Sequence, residues 1–342
     1  MFSVSLWLII MAERVLIIAN PTAGAGAGRI NKQRLVDIAR RDIERERKGK
    51  PTLQVAVAFE TTRELVVRRA ANAASEGFQV VVAAGGDGTV NAVASGLMQA
   101  RSGEKSKKAP MLGVLPMGTG NVFAFNLGIE RGLRAACRVI RQGHVRTVDV
   151  GTARALSPDK TDDAMRYFLL MAGIGFDAKV VEDTSLRLKY VLRDFAYVVK
   201  VLQNGVTHRG TRMNVKFAEG FEYSNRSWLV MVGNAASYAW DIRFTSRAQL
   251  DDGLVDVCLF PFQNKVASVR QVLQVLTGQH IERGHVEYWK TAGVTIETDE
   301  PVPVQLDGDE WARTPIQIGV LPGALQVLAP LDDVQPSQAP LP

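Results

Sequence analysis

Hydrophobic positions in the first part of the chain fall into short runs separated by amphipathic stretches. Arg14–Ala19 (RVLIIA), Leu53–Phe59, Gln79–Ala84 and Met111–Leu115 are β-branched or apolar and are bounded by Gly, Pro or Asn. The segments between them, near Asn31–Glu46, Arg63–Glu76 and Val90–Met98, read as helices. Strand and helix in alternation predict a mainly parallel sheet covered by helices. Such sheets carry their ligands on the loops at the strand carboxyl ends. Here those loops are Asn20–Gly28, Gly85–Gly88 and Pro116–Gly120, all rich in glycine.

Beyond Val150 the pattern changes. Tyr167–Ala172, Met213–Phe217, Ser227–Val232, Leu254–Phe260, Val294–Glu297, Val302–Leu306 and Ile316–Val320 read as strands. Several alternate with period two (Val302, Val304, Leu306; Ile316, Ile318, Val320), as half-buried antiparallel strands do. A mainly antiparallel β-sandwich follows, with helices expected at Ser185–Gln203 and Lys265–Leu276. The tail Leu331–Pro342 is Pro-rich and polar, and disorder is expected there.

A chain of 342 residues exceeds the usual size of one core, which fits the two patterns. Hydrophobic content of 46% and charged content of 22% are those of a globular protein. The net charge of +6 favours anionic partners. It is uneven: Arg29–Arg69 holds twelve Lys/Arg against six Asp/Glu. Cys137 and Cys258 lie far apart in apolar segments and match no metal spacing, as in a reduced cytoplasmic protein. No apolar run reaches the ~18–20 residues of a bilayer span. Met1–Met11 is apolar without a basic n-region or cleavage site. Translation is expected to start at Met11, with residues 1–10 an upstream extension; the rival reading is a short membrane-surface anchor.

Three glycine-rich loops in consecutive βα units suggest phosphate binding. A dinucleotide G-x-G-x-x-G from Gly24 would need glycine where Arg29 stands, and no Walker A spacing occurs. Gly85-Gly86-Asp87-Gly88-Thr89-Val90-Asn91 is the strongest signal. Its glycines let amides face an anion at a helix N-terminus. Asp87 among phosphates calls for a cation, hence Mg²⁺-nucleotide; helix capping by Asp87 or Thr89 is the plainer alternative. Leu115-Pro116-Met117-Gly118-Thr119-Gly120-Asn121 repeats the geometry one strand later. Asp307-Gly308-Asp309-Glu310 is a carboxylate-dense hairpin between two alternating strands.

Taken in order, N-P-x-x-G, G-G-D-G-T-x-N, L-P-x-G-T-x-N, G-x-G-F-D-A (Gly173–Ala178), L-D-D-G-x-x-D-V (Leu250–Val257) and L-D-G (Leu306–Gly308) resemble the bacterial diacylglycerol kinase-like lipid kinases, relatives of sphingosine and ceramide kinases. The resemblance spans about Val15–Leu328. It implies an α/β nucleotide-binding domain, NAD kinase/diacylglycerol kinase-like, over residues 13–147 with a return segment at about 321–328. A β-sandwich lipid domain covers 148–320, with the active site between the two. ATP falls on Asn20, on Gly85, Gly86, Asp87, Gly88, Thr89, Val90 and Asn91, and on Thr119. Asp307 becomes the general base, with Asp309 holding metal or orienting that base. A structural Mg²⁺ falls on Asp252 with the carbonyls of Gln249 and Leu254.

Implied partners are ATP and a diacylglycerol, sphingoid or glycerol-lipid at a membrane surface, with no nucleic acid. A cytoplasmic, peripherally membrane-associated enzyme is expected, with a homodimer as a candidate assembly. The family pattern is broken at Val122, where Asp is common, and at Asp309, where Glu is common. The alternatives are a NAD kinase-like enzyme, which shares the G-G-D-G turn, and a non-catalytic nucleotide- or lipid-binding regulator. Lys189, Arg193 and Lys200 share one face of the expected Ser185–Gln203 helix; this is either a solvated core-helix edge or a basic rim for an anionic bilayer.

Overall fold

A computed structural model describes residues 8–9, 14–21, 32–45, 52–102, 109–156, 165–175, 210–237, 242–283 and 285–331. Two compact units are present, Met1–Val148 with Gly323–Pro342, and Asp149–Pro322. The expected Ser185–Gln203 helix, the glycines of the first loop and all of the tail beyond Leu331 lie outside the described residues.

The first unit opens with β1 (Leu8–Ile9), paired antiparallel with the start of β6 (His144–Ala155). Four parallel strands follow: β2 (Arg14–Ala19), β3 (Gln54–Phe59), β4 (Val80–Gly85) and β5 (Met111–Pro116). Their spatial order is β3-β2-β4-β5, and the end of β16 (Ile316–Leu328) adds a parallel neighbour to β5 through Val327 and Leu112. Every residue of β4 and all but the first of β2 are buried. Strands covered on both faces need such unbroken apolar runs.

The helices of this unit are α1 (Lys32–Ile43), α2 (Arg63–Asn72), α3 (Asp87–Ser102), the short α4 (Val122–Asn126) and α5 (Leu133–Gln142). Thr62 caps α2 by accepting the Leu65 N–H at 3.3 Å, a bond worth about 1 kcal/mol. The buried stripe Ala136, Cys137, Val139 and Ile140 seats α5, with the Cys137 thiol against the Ala39 carbonyl of α1.

The second unit is built from antiparallel pairs. Beside β6 lie β7 (Arg166–Phe168), β8 (Met171–Ile174), β9 (Thr211–Phe217), β10 (Glu222–Gly233), β11 (Val255–Pro261), β12 (Glu287–Thr291), β13 (Gly293–Thr298), β14 (Pro303–Leu306) and β15 (Asp309–Arg313). The long β10 pairs with β9 through its first half, then with β8 and β11 through its second. Met213, Val215 and Phe217 of β9, Val294 and Ile296 of β13, and Ile316 and Ile318 of β16 point into one core with β10 and β11. The period-two pattern is therefore the inward face of this unit. Helix α6 (Lys265–Leu276) is capped by Asn264, which accepts the Ala267 N–H at 2.9 Å.

Several elements differ from expectation. β10 begins at Glu222 rather than Ser227, because Glu222–Arg226 is a polar ladder against β9 with little buried surface to announce it. α3 starts at Asp87, so the glycine-rich turn is already the helix's first turn. The expected Tyr167–Ala172 strand is two short strands, β7 and β8, separated by Leu169 and Leu170, while β6, β12, β15, α4 and α5 had no counterpart in the hydrophobic pattern. Among the described residues, no helix is long and apolar enough to cross a membrane.

Candidate active site

In the first unit the chain leaves β2 to place β3 on one side, and returns to place β4 on the other. The carboxyl ends of β2 and β4 thus flank a topological switch point, where open α/β sheets bind ligands. Ala19 is in register with Ala84, and Gly85 with Pro116, so the three strand-end loops start side by side. Asn20, the Gly86–Thr89 turn and the Met117–Asn121 loop are brought together by that register. Asn20 is half-buried, whereas Gly88 and Thr119 are exposed.

The second and third loops are clamped to each other. The Met117 N–H donates to the Gly85 carbonyl at 2.9 Å. A Cβ on Gly118 would overlap Gly86 Cα, so glycine is required there by loop-to-loop contact. Asn121, in the left-handed region at φ 53, closes its own loop: its Oδ1 accepts the Gly118 N–H at 2.9 Å and its Nδ2 donates to the Gly118 carbonyl at 2.9 Å. Asp87 Oδ1 accepts the Phe123 N–H of α4 at 3.0 Å. Asp87 therefore caps a helix from a neighbouring loop, because Asn121 makes no side-chain cap of its own.

Not every residue of the G-G-D-G-T-x-N run faces this surface. Thr89, Val90 and Asn91 are buried. Asn91 Oδ1 instead accepts Arg63 Nη2 of α2 at 2.5 Å and Ser95 Oγ at 3.3 Å. Its place is in the α2–α3 packing, beneath the loops. Val122 is buried too, at the first position of α4.

In the second unit, Asp307 and Gly308 form the whole connection between β14 and β15, with φ of 50 and 95. A two-residue hairpin with both φ positive is the turn that Asp-Gly favours. The Asp307 carboxylate accepts three backbone N–H groups: Leu169 at 2.8 Å, Leu170 at 2.9 Å and Met171 at 3.0 Å. Its own N–H donates to the Met171 carbonyl at 2.9 Å. Gln305 supports the turn by accepting the Gly308 N–H at 2.6 Å, and any Cβ at Gly173 would collide with the Gln305 side chain. The G-x-G and L-D-G motifs are thus two sides of one structure. Asp309, the first residue of β15, is exposed, and its carboxylate makes no hydrogen bond among the described residues.

Elsewhere in that unit, Asp252 Oδ1 accepts the Leu254 N–H at 3.1 Å and Oδ2 meets Lys290 Nζ at 2.6 Å. The same ammonium lies 3.6 Å from Asp256, a fully buried carboxylate that also accepts the Tyr288 hydroxyl at 2.6 Å. Burial works against the Lys290 charge, but the Asp252 hydrogen bond and both carboxylates leave its pKa raised. Burial raises the Asp256 pKa, opposed by Tyr288 and Lys290. Gln249 is exposed in the preceding loop.

Two family descriptions match the chain: "Diacylglycerol kinase catalytic domain" over residues 14–153, and "YegS C-terminal NAD kinase beta sandwich-like domain" over residues 171–329. A Chromohalobacter salexigens protein described as "Probable lipid kinase YegS-like" is 31% identical over 264 residues, covering 77% of this chain and 80% of that protein. The chain belongs to the diacylglycerol kinase-like lipid kinase family. A Bacillus subtilis diacylglycerol kinase is 28% identical over 325 residues, covering 94% of this lipid kinase and 98% of that one. A Bacillus anthracis diacylglycerol kinase structure aligns with a TM-score of 0.65 over 94% of this chain and 99% of that one; at 23% identity the likeness carries the fold alone.

Mg²⁺, which this lipid kinase family implies, fits the two loci unequally. At the nucleotide loops Asp87 offers one carboxylate, which suits an ion held mainly by substrate phosphates. At Asp252 both carboxylate oxygens are engaged, and a divalent ion would have to share Oδ2 with Lys290. Sequence reasoning missed Asn234. Its side chain is buried and donates to the Asp149 carbonyl at 3.2 Å and the Leu169 carbonyl at 3.0 Å, fixing the segment whose amides hold Asp307. The small-residue run Gly233-Asn234-Ala235-Ala236 after an apolar strand was its only sequence signal.

Proposed function

We propose that this lipid kinase transfers the γ-phosphate of ATP to a hydroxyl of diacylglycerol or of a related sphingoid or glycerol-lipid. The observation that carries the nucleotide assignment is the clamped pair of loops at the switch point, glycine-lined where a side chain would obstruct and exposed at Gly88 and Thr119. Phosphate oxygens suit the free amides that open α3. Asn20, Gly86, Asp87, Gly88 and Thr119 would touch the nucleotide; Val90 and Asn91 support the helix beneath. When bound, Mg²⁺ neutralises phosphate charge, and Asp87 is the side chain that would hold it.

The hydrogen bonds favour exchanging the two acidic roles drawn from the resemblance. A base must take a proton, yet the Asp307 carboxylate already accepts three amide protons. That bonding favours its ionised, immobile form. Asp309, exposed at the start of β15, has lone pairs free among the described residues, so it is the proposed base for the lipid hydroxyl. Asp307 then sets the turn that aims it. A peripheral position at the membrane surface follows from the acceptor, since a diacyl lipid stays in the bilayer.

The test is incubation with radiolabelled ATP and Mg²⁺ against diacylglycerol, sphingosine, phosphatidylglycerol and NAD. Label in a lipid supports the proposal and ranks the acceptors. Label in NAD alone refutes it.

A further inference from the structure

A second feature involves none of the nucleotide-loop residues. Asp42 and Arg45 at the end of α1 and Arg134, Arg138 and Arg141 of α5 line a cavity of about 380 Å³. The three α5 arginines are spaced i, i+4 and i+7, so they share one helix face. Like charges at that spacing destabilise a helix by themselves. No acid in α5 relieves them, since its sequence is LRAACRVIRQ. The one carboxylate in the cavity, Asp42, is already paired with Arg45 at 3.1 Å, and its side chain is only 15% exposed. Four arginines thus line one cavity with a single carboxylate, which one of them already occupies. The Nε of Arg141 is buried without a hydrogen-bond partner among the described residues. In sequence, Arg47, Lys48 and Lys50 follow against Glu46 alone.

We infer that this cavity binds a phosphate-type oxyanion through Arg45, Arg134, Arg138 and Arg141. Guanidinium forks match the bidentate geometry of phosphate oxygens, which a diffuse positive surface does not require. The anion comes from one of two sources, the headgroup of an acidic phospholipid or a soluble phosphate. The site is independent of the catalytic proposal, because none of its residues belongs to the nucleotide loops or the Asp307 turn.

The test uses the full chain at low ionic strength, without ATP or acceptor lipid. One arm measures thermal stabilisation by inorganic phosphate. The other measures cosedimentation with phosphatidylcholine vesicles, with and without phosphatidylserine, an anionic lipid with no free hydroxyl to serve as acceptor. Wild type should respond to at least one anionic probe and ignore neutral vesicles. Arg134→Gln/Arg138→Gln should weaken that response about a hundredfold, at about tenfold for each charge-assisted contact removed. Arg134 and Arg138 are exposed, so the unliganded melting temperature should not fall. A response to vesicles that phosphate does not compete away identifies the headgroup; saturation by phosphate alone identifies the soluble anion. Arg134→Lys/Arg138→Lys should retain only part of the binding. If it binds like wild type, the attraction is diffuse charge and the site is refuted. The site is equally refuted if the Gln variant binds as wild type, or if wild type ignores both probes.

Discussion

Substituting Asp307 by Asn separates a structural carboxylate from a catalytic one. The carboxylate accepts the N–H groups of Leu169, Leu170 and Met171 at 2.8–3.0 Å. An amide presents one acceptor oxygen in place of two charged ones, and its NH₂ would face an N–H donor. At least one donor loses its partner, and the bonds that remain become neutral. Three charge-assisted bonds at about 1.5–3 kcal/mol each give way to one or two neutral ones at about 1, so the net loss is about 2.5–8 kcal/mol. For a unit of this size that lowers the melting temperature by roughly 5–30 °C. Asp309→Asn, at an exposed position with no such bonds, should leave melting unchanged and cut kcat about 10²–10⁴-fold. The assay is thermal melting in parallel with single-temperature turnover on diacylglycerol in mixed micelles, well below either transition. A fully stable Asp307→Asn with turnover abolished, beside a fully active Asp309→Asn, would return the base to Asp307 and refute the exchange of roles.

Three further outcomes follow from the geometry. Gly118→Ala should drive the two phosphate loops apart, costing about 1–3 kcal/mol and weakening Mg-ATP binding by calorimetry, while Gly88→Ala, with open space around it, should be tolerated in the folded state. His280 is fully buried, and burial lowers its pKa below 6.5, so the folded state keeps the imidazole neutral while the unfolded chain takes a proton. Its stabilising contribution is present above that pH and lost as pH falls below it; His280→Gln should flatten the acid side of the stability curve measured by urea titration. Asp256 has the opposite sign, because a raised folded pKa means stability declines as pH rises from the ordinary carboxylate range through the folded value. Lys290→Met removes an opposing charge and should therefore cost about 1–3 kcal/mol near pH 8 and clearly less near pH 4, a difference readable from paired melts.

The parallel core of the first unit could be read from the sequence because its strands are buried on both faces. Val80–Gly85 has no polar position to blur the run, and the Gly-rich connection marks its end. The strands that the pattern does not announce are those whose burial is one-sided or brief. β12 (EYWKT) is half-exposed along most of its length and carries Lys290 into a polar network. β15 (DEWAR) buries only Ala312. Helix α5 is hidden for a related reason: its charged face is all arginine, with none of the alternating signs that mark a solvated surface helix and draw attention to the buried stripe opposite.

The candidate site was legible as a set of motifs but not as a set of roles. A glycine in a strand-end loop is commonly assigned to phosphate approach, yet Gly118 is fixed first by the Gly86 backbone across from it, and Gly173 by Gln305. An aspartate in a loop is commonly assigned to a ligand, yet Asp87 caps α4 and Asp307 caps a bend beside β8. These contacts join segments 36 and 137 residues apart, and no local pattern encodes the pairing. The proposed catalytic reading is consistent with these contacts, which brace the backbone next to the exposed groups. Preorganised loops lose little entropy when a nucleotide binds, and three amides tie the turn that immediately precedes the exposed Asp309. Motif residues nearest the chemistry in sequence can thus serve as its frame, and under the proposed mechanism the residue beside them, Asp309, takes the proton.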